Sequence, residues 1–284
     1  MVGDLNIAGD LQLQRADGLA RLVLGSSERG TRIVDLFQQS PLRIMFPRTG
    51  HAPVMEAVLI NTGGGIAGGD RLECTVTALP ETSVTVTSQA AERVYRALNE
   101  PARVATRLDV FADARLAWLP QETIVFNGGR LRRKTEIELA SGAQLLALEW
   151  LVLGRAAHGE EVVRGEISDA WRVKRDGRLI WADTFRVTDE VFPRLRSRAL
   201  LADFTAFGNL VYYGPELSAR LECVRELAPH LQCRCVATLV ADLMIVRFAA
   251  LAPADLRVGV RAVVQQFGPG LGSGSFHTPR MWSC

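Results

Sequence analysis

A two-residue alternation of apolar and polar side chains runs through the first two-thirds of the chain. This period is that of a β-strand with one buried face. Strands are therefore predicted over residues 20–24, 31–37, 42–46, 54–60, 72–78, 82–88, 104–111, 114–118, 123–126, 130–139, 171–174 and 179–187. Residues 16–18 are predicted to form a hairpin turn between residues 11–14 and 20–24.

The pattern changes near residue 215. Residues 215–227 and 253–267 carry apolar side chains at helical spacing and predict two α-helices. Residues 233–240 and 243–248 predict a hairpin between them. Residues 145–153 are almost wholly apolar, which fits either a strand covered on both faces or a buried helix.

These patterns predict a mainly β fold with a small α/β C-terminal part. The chain is expected to form a single domain over residues 1–284. Within it we distinguish a β-rich part (1–214), an α/β end containing both helices (215–270) and an irregular tail (271–284).

A glycine-rich stretch, Asn61 to Asp70, separates two predicted strands. Its five glycines are Gly63, Gly64, Gly65, Gly68 and Gly69. Glycine tolerates positive φ and lets a second backbone approach closely, so the stretch is predicted to be a sharp, structural turn.

The Gly63–Gly69 turn also suggests an alternative function, a phosphate- or nucleotide-binding enzyme. Gly63, Gly65 and Gly68 match a dinucleotide-binding fingerprint, but that fingerprint requires a following helix. Here an alternating strand pattern follows. A P-loop is disfavoured because Gly69-Asp70 stands where lysine and serine or threonine are needed.

Composition narrows the class of protein. The 284 residues include 33 basic and 31 acidic side chains, a net charge of +2, which does not suggest a general nucleic-acid binder. The sequence shows neither a signal-peptide pattern nor an apolar run of membrane-spanning length. Five scattered cysteines fit free thiols in the cytoplasm.

Few residues suggest catalysis. None of the four histidines lies near a nucleophile motif, although a Ser-His-Asp arrangement stays open because its members need only meet in space. Cys233 and Cys235 would share one face of a strand. Two thiols without further ligands favour buried free cysteines over a zinc site.

Five segments, in order, resemble the urease accessory protein UreD family. They are residues 61–70 (NTGGGIAGGD), 88–96 (SQAAERVYR), 119–126 (LPQETIVF), 151–160 (LVLGRAAHGE) and 175–183 (RDGRLIWAD).

The resemblance implies a double-layered, partly helical array of β-strands with a few α-helices. It further implies a non-enzymatic chaperone that assembles with UreF and the GTPase UreG. By the same resemblance, this assembly is expected to dock on the urease apoprotein and assist nickel insertion. No tightly bound cofactor is expected on this chain, at most a transient Ni²⁺, and any nucleotide would be held by the partner.

Four acids within the matching segments are candidates for a transient nickel path: Asp70, Glu92, Glu122 and Asp183. Carboxylates bind divalent ions weakly when few converge, which suits a protein that hands an ion on. The alternative is that each caps a turn or pairs with a neighbouring arginine such as Arg71, Arg93 or Arg178.

Partner-binding residues are not identifiable from the sequence. Arg155 could pair with Glu149 or Glu160. A further set of basic residues offers charge for an acidic protein partner, or is only a solvated face: Arg130, Arg132, Arg133, Lys134, Arg164, Arg172, Lys174 and Arg175.

Overall fold

The computed structural model describes residues 14–47, 54–155, 158–268 and 276–283. The strands of the described residues are β1 (Asp17–Gly25), β2 (Arg32–Gln39), β3 (Leu42–Met45), β4 (Met55–Asn61), β5 (Arg71–Ala78), β6 (Ser83–Ser88), β7 (Glu92–Val94), β8 (Ala102–Val110), β9 (Arg115–Leu119), β10 (Thr123–Val125), β11 (Arg130–Leu139), β12 (Gln144–Leu153), β13 (Glu166–Arg175), β14 (Arg178–Val187), β15 (Ala206–Tyr213), β16 (Arg234–Val240) and β17 (Leu243–Ala250). The helices are α1 (Leu217–Leu227) and α2 (Pro253–Gln265), with short 3-10 helices at Phe192–Arg194, Ala228–His230 and Arg280–Ser283.

The strands form two stacked sheets. One has seven strands in the order β14-β13-β11-β8-β5-β1-β2, and the other follows β16-β17-β15-β12-β9-β6-β4-β3, with β10 and β7 attached beside β12. From β8 to β13 the main strands alternate between the sheets, and the central neighbours are parallel. The chain thus winds around a shared core, and the predicted mainly β, double-layered fold is confirmed.

Strand β12 settles the ambiguous apolar run at residues 145–153. Its Leu145 and Leu151 face the core between the sheets, while Leu146 and Leu148 face a second core. Helices α1 and α2 complete that second core with Val224, Val260 and neighbours. Both faces are covered, so the strand lacks the polar alternation that normally identifies one.

Several predicted boundaries change. The turn predicted at residues 16–18 is wrong, because Asp17 and Gly18 belong to β1, which pairs with β5 and β2. Residues 11–13 lie outside the described part. Part of the predicted irregular tail is ordered, since Trp282 in the last 3-10 helix lies 6.3 Å from Trp150, measured between ring centroids. The single domain and its division at residue 214 into a β-rich part and an α/β end stay predictions.

A buried ionic triad joins the two sheets. The Arg133 guanidinium on β11 donates to Asp169 on β13 at 2.8 and 2.9 Å, and to Glu149 on β12 at 2.6 Å. The three side chains are 3%, 8% and 6% exposed, respectively. Trp118 donates from Nε1 to the second Glu149 oxygen at 2.8 Å. Burial raises the pKa of Glu149, and the Arg133 charge opposes that shift.

We expect unequal effects from removing members of the triad. Arg133→Met leaves two carboxylates buried without a cation and should cost about 3–5 kcal/mol in the free energy of unfolding. Glu149→Gln leaves the Arg133–Asp169 pair intact and should cost roughly 1–2 kcal/mol, for one lost acceptor. Urea unfolding of both variants measures the difference. Equal costs would contradict the assignment of Arg133 as the common partner.

Candidate functional site

The glycine-rich stretch forms the connection between β4 and β5, as predicted. Gly64, Gly65 and Gly69 have φ of 74°, 146° and 88°, the region open to glycine. Gly68 has ordinary φ, but a Cβ there would meet the Glu100 carbonyl oxygen at 2.5 Å. The turn therefore needs glycine for two reasons, backbone conformation and close approach.

The turn packs against β7, a three-residue strand. The amide of Ile66 donates to the Arg93 carbonyl at 2.7 Å, and the amide of Tyr95 donates back to Ile66 at 2.9 Å. The Tyr95 hydroxyl donates to the Gly64 carbonyl at 2.9 Å. These bonds fix the glycine turn to the segment that carries Glu92.

Asp70 closes the turn. Its Oδ2 accepts from the Ala67 amide at 2.7 Å and its Oδ1 from the Ala16 amide at 2.8 Å. The residue is 7% exposed, so both oxygens serve the backbone inside the protein. This is the capping role weighed against a metal role for Asp70.

Glu92 lies where the glycine turn meets β7, on the side that faces the space between the two sheets. It lines a cavity of about 90 Å³ between the sheets, together with Cys74, Arg133 and Glu149. Asn61 donates from Nδ2 to the Glu92 carboxylate at 3.0 Å, and the Arg93 amide donates at 3.1 Å. Burial raises the pKa of Glu92, while these two hydrogen bonds act in the opposite direction.

Glu122 lies beside Glu92 in the backbone but faces another space. The Glu92 amide donates to the Glu122 carbonyl at 2.9 Å. The Glu122 carboxylate is buried at 3% exposure and pairs with Arg257 of α2, while its Oε2 has no hydrogen-bond partner among the described residues. It lines an open groove of about 710 Å³ with Arg93 and His158.

Asp183 lies apart from the other three acids. It is on β14, where it accepts from Arg247 at 3.0 Å and from Asn209 at 3.4 Å. Within the described ranges, no group of three or more histidine, cysteine, aspartate or glutamate side chains could hold a metal ion. The structure brings Glu92 and Glu122 together along the backbone and does not bring all four candidates into one site.

Sequence reasoning missed two features near the glycine turn, which are strand β7 and the buried ionic triad. Strand β7 has only three residues, too few for a period-two pattern. The triad had a signal, because Arg133 is the one charged residue on the inward face of β11. Glu149 pairs with this arginine, whereas Arg155 is half-exposed and pairs with Glu160 at 2.8 Å.

The cysteines are free thiols where the structure describes them. Burial, with a smaller effect of Glu149, raises the pKa of Cys74 to about 12. Burial also raises the pKa of Cys235 to about 12. Such thiols are protonated at neutral pH, which favours the interpretation of Cys233 and Cys235 as packing residues over a metal pair.

Comparison with known proteins identifies the family. The model of the UreD urease accessory protein family matches residues 16–283. The chain belongs to the UreD family. It is 38% identical over 277 residues to the urease accessory protein UreD of Chelativorans sp. (strain BNC1), covering 97% of each chain. It is also 44% identical over 214 residues to UreD of Rhizobium johnstonii, covering 75% of this chain and 78% of the relative.

Membership decides the enzyme question. UreD proteins are urease accessory proteins and are not catalytic, so this chain is a non-enzymatic participant in urease maturation. The glycine turn agrees, because strand β5 follows it where a dinucleotide-binding loop requires a helix. Among the described residues, no helix is long and apolar enough to cross a membrane.

The glycine turn can be tested by adding one methyl group. Gly68→Ala places a Cβ 2.4 Å from the Ala97 Cβ and should cost roughly 1–3 kcal/mol in unfolding free energy. Gly63→Ala is the matched control, since its φ is ordinary and its nearest contact is 3.1 Å. Thermal unfolding should separate the two variants. Equal melting temperatures would show that close approach at Gly68 is unimportant.

Asp70 and Glu92 should respond differently to amide substitution. Asp70→Asn leaves a buried amide N–H without an acceptor and should cost about 1–3 kcal/mol. Glu92→Gln loses one hydrogen bond but also removes a charge that burial disfavours, so we expect a change within about 1 kcal/mol. Denaturant unfolding of both variants at neutral pH tests this.

The pH dependence provides a check. Burial raises the pKa of Glu92 in the folded protein above 4.5, its value in the unfolded chain. Wild-type stability therefore falls as the pH rises from the unfolded pKa through the folded pKa. The stability of Glu92→Gln relative to wild type should therefore improve from pH 4.5 to 7. A constant difference would contradict the raised pKa.

Proposed function

We propose that this chain acts in the cytoplasm as a scaffold for nickel insertion into urease. In this proposal it assembles with UreF and the GTPase UreG and docks on the urease apoprotein. Nickel is the cargo of the complex, and GTP is bound by the partner. Family membership supports the accessory role; the partners and the nickel step are the proposed part.

The observation that carries the nickel step is the position of Glu92 and Glu122 around one pair of short strands. Glu92 lines the cavity between the sheets, and Glu122 lines the open groove. Their segments are joined directly, since β7 and β10 are parallel neighbours. A divalent ion in the groove that displaces Arg257 could meet the Glu122 carboxylate before it reaches Glu92.

Weak binding is what this arrangement supports. Single carboxylates hold Ni²⁺ loosely, because a tight site needs several converging ligands. Arg257 competes with any metal ion for this carboxylate, because it already pairs with Glu122. An ion that enters must displace this arginine and can be displaced by it in turn, which favours transfer over storage.

Asp70 and Asp183 are the weaker positions of the proposed path. Both Asp70 oxygens accept backbone amides, and Asp183 is held by Arg247 and Asn209. An effect of either on nickel transfer must be separated from an effect on folding. Glu92 and Glu122 are therefore the residues on which the proposal depends.

The test is nickel content of urease purified after co-expression with the accessory proteins. Omission of this chain should abolish loading, whereas loss of one loose ligand lowers metal affinity roughly tenfold or more. Glu92→Gln and Glu122→Gln should each lower nickel per urease while the accessory complex still forms. Glu28→Gln, in an exposed loop, is the matched control.

Two outcomes would contradict the proposal. Full loading without this chain would refute the maturation role in nickel insertion. Full loading with Glu92→Gln and Glu122→Gln, alone and combined with Asp70→Asn and Asp183→Asn, would remove the metal path and leave a scaffold. Recovery of the complex from the same lysate distinguishes both outcomes from misfolding.

A further inference from the structure

The outer face of the seven-stranded sheet carries a row of arginines. Register places Arg71 of β5 beside Arg103 of β8, and Arg103 beside Arg132 of β11. The row continues through Ser168 of β13 to Arg186 of β14. All four arginines are exposed. Neighbouring strands lie about 4.8 Å apart, so the row extends over about 19 Å.

Few acids neutralise this row. Arg132 pairs with Glu166 at 2.8 Å, and Arg103 is 3.8 Å from Glu100. Arg71 and Arg186 have no ion pair with another described residue, although Asp17 of β1 is opposite Arg71 in register. The row therefore carries more positive than negative charge.

A second row of the same face shows the opposite arrangement. Four residues further along the strands, Arg107, Glu136 and Arg172 stand side by side on β8, β11 and β13. Their signs alternate, and Arg107 also pairs with Asp109 of its own strand at 2.8 Å. Cross-strand pairs of opposite charge stabilise a sheet, while like charges directly opposite destabilise it.

The arginine row is therefore unfavourable for the stability of the isolated sheet. The second row shows that the same strands can carry charges of alternating sign. No helix covers this face in the part of the chain that the structure describes, since α1 and α2 pack on the other sheet. We propose that the arginine row is the docking surface for an acidic patch of a protein partner. This rests on the proposed function, because it names the surface by which the chain would join the maturation complex.

The charge distribution favours a protein over a nucleic acid or an anionic membrane. The far end of the face mixes Asp109, Glu136 and Glu138 with Arg107, Arg172 and Lys174, so it offers an extended polyanion no continuous positive surface. A folded partner can place carboxylates over the arginine row alone and charges of both signs over the mixed end. Complementary patterns of this kind fix orientation and accelerate association.

The test uses charge reversal in the full chain. Arg103→Glu with Arg186→Glu alters the row, and Lys174→Glu with Arg178→Glu is the matched control, with the same change in net charge at the other end of the sheet. The probes are purified UreF, UreG and urease apoprotein, each titrated separately at low and at physiological salt. We expect the row variant to bind one of these three proteins about tenfold more weakly or worse, and a tenfold loss of affinity is equivalent to ~1.4 kcal/mol.

Stability distinguishes docking from a structural role. Because Arg103→Glu places an acid between its cross-strand neighbours Arg71 and Arg132, the row variant should melt at the wild-type temperature or above while its binding falls. The single substitutions Arg103→Glu and Arg186→Glu provide the same test if the double variant fails to fold. Control binding should stay unchanged, and the partner's affinity for wild type should fall with salt.

Three results would overturn the inference. They are unchanged affinity for all three proteins, an equal loss in the control variant, and an effect seen only with a DNA duplex or with phosphatidylserine vesicles. Nickel loading separates the two proposals. If urease requires this chain for nickel but the row variants bind and load fully, docking at the row fails and the proposed function stands.

Discussion

The buried charge of Arg133 constrains the whole two-sheet architecture. A guanidinium removed from water needs anionic partners within hydrogen-bond distance, and here they come from both sheets. Asp169 is its neighbour in the same sheet, and Glu149 reaches it from the opposite one. Apolar packing between sheets tolerates small shifts, whereas a forked ion pair fixes separation and register. The cavity beside Glu92 exists next to this fixed point.

The glycine turn supplies a second constraint of a different kind. It holds a three-residue strand, β7, which is too short to be stable alone. Hydrogen bonds from Ile66 and Tyr95 attach that strand to the turn, and β10 borders it on the other side. The acids Glu92 and Glu122 gain fixed positions from these neighbours. The positions of both acids therefore depend on backbone contacts. The glycines matter to the site because they allow the turn to make those contacts.

Much of the fold was predictable because the two-residue period is a direct consequence of burying one strand face. The strand at residues 130–139 was predicted closely for that reason, and both helices were predicted closely from the helical spacing of their apolar residues. Strand β12 was ambiguous because both its faces are buried, and β7 was missed because three residues carry no period. At the site, the resemblance indicated Glu92 and Glu122, but partners such as Arg257 come from distant segments. No local pattern encodes such long-range pairs.

The acidic residues show that one chemical type divides into different roles by environment. Asp70 accepts two backbone amides and Glu149 accepts from Arg133 and Trp118, so their charges are used within the fold. Among the described residues, one oxygen of the Glu122 carboxylate has no hydrogen-bond partner. A buried carboxylate with spare acceptor capacity costs stability, so the open position on Glu122 supports its proposed role toward a metal ion. The same argument supports the proposed docking role of the arginine row, where two of the four arginines have no ion pair with another described residue.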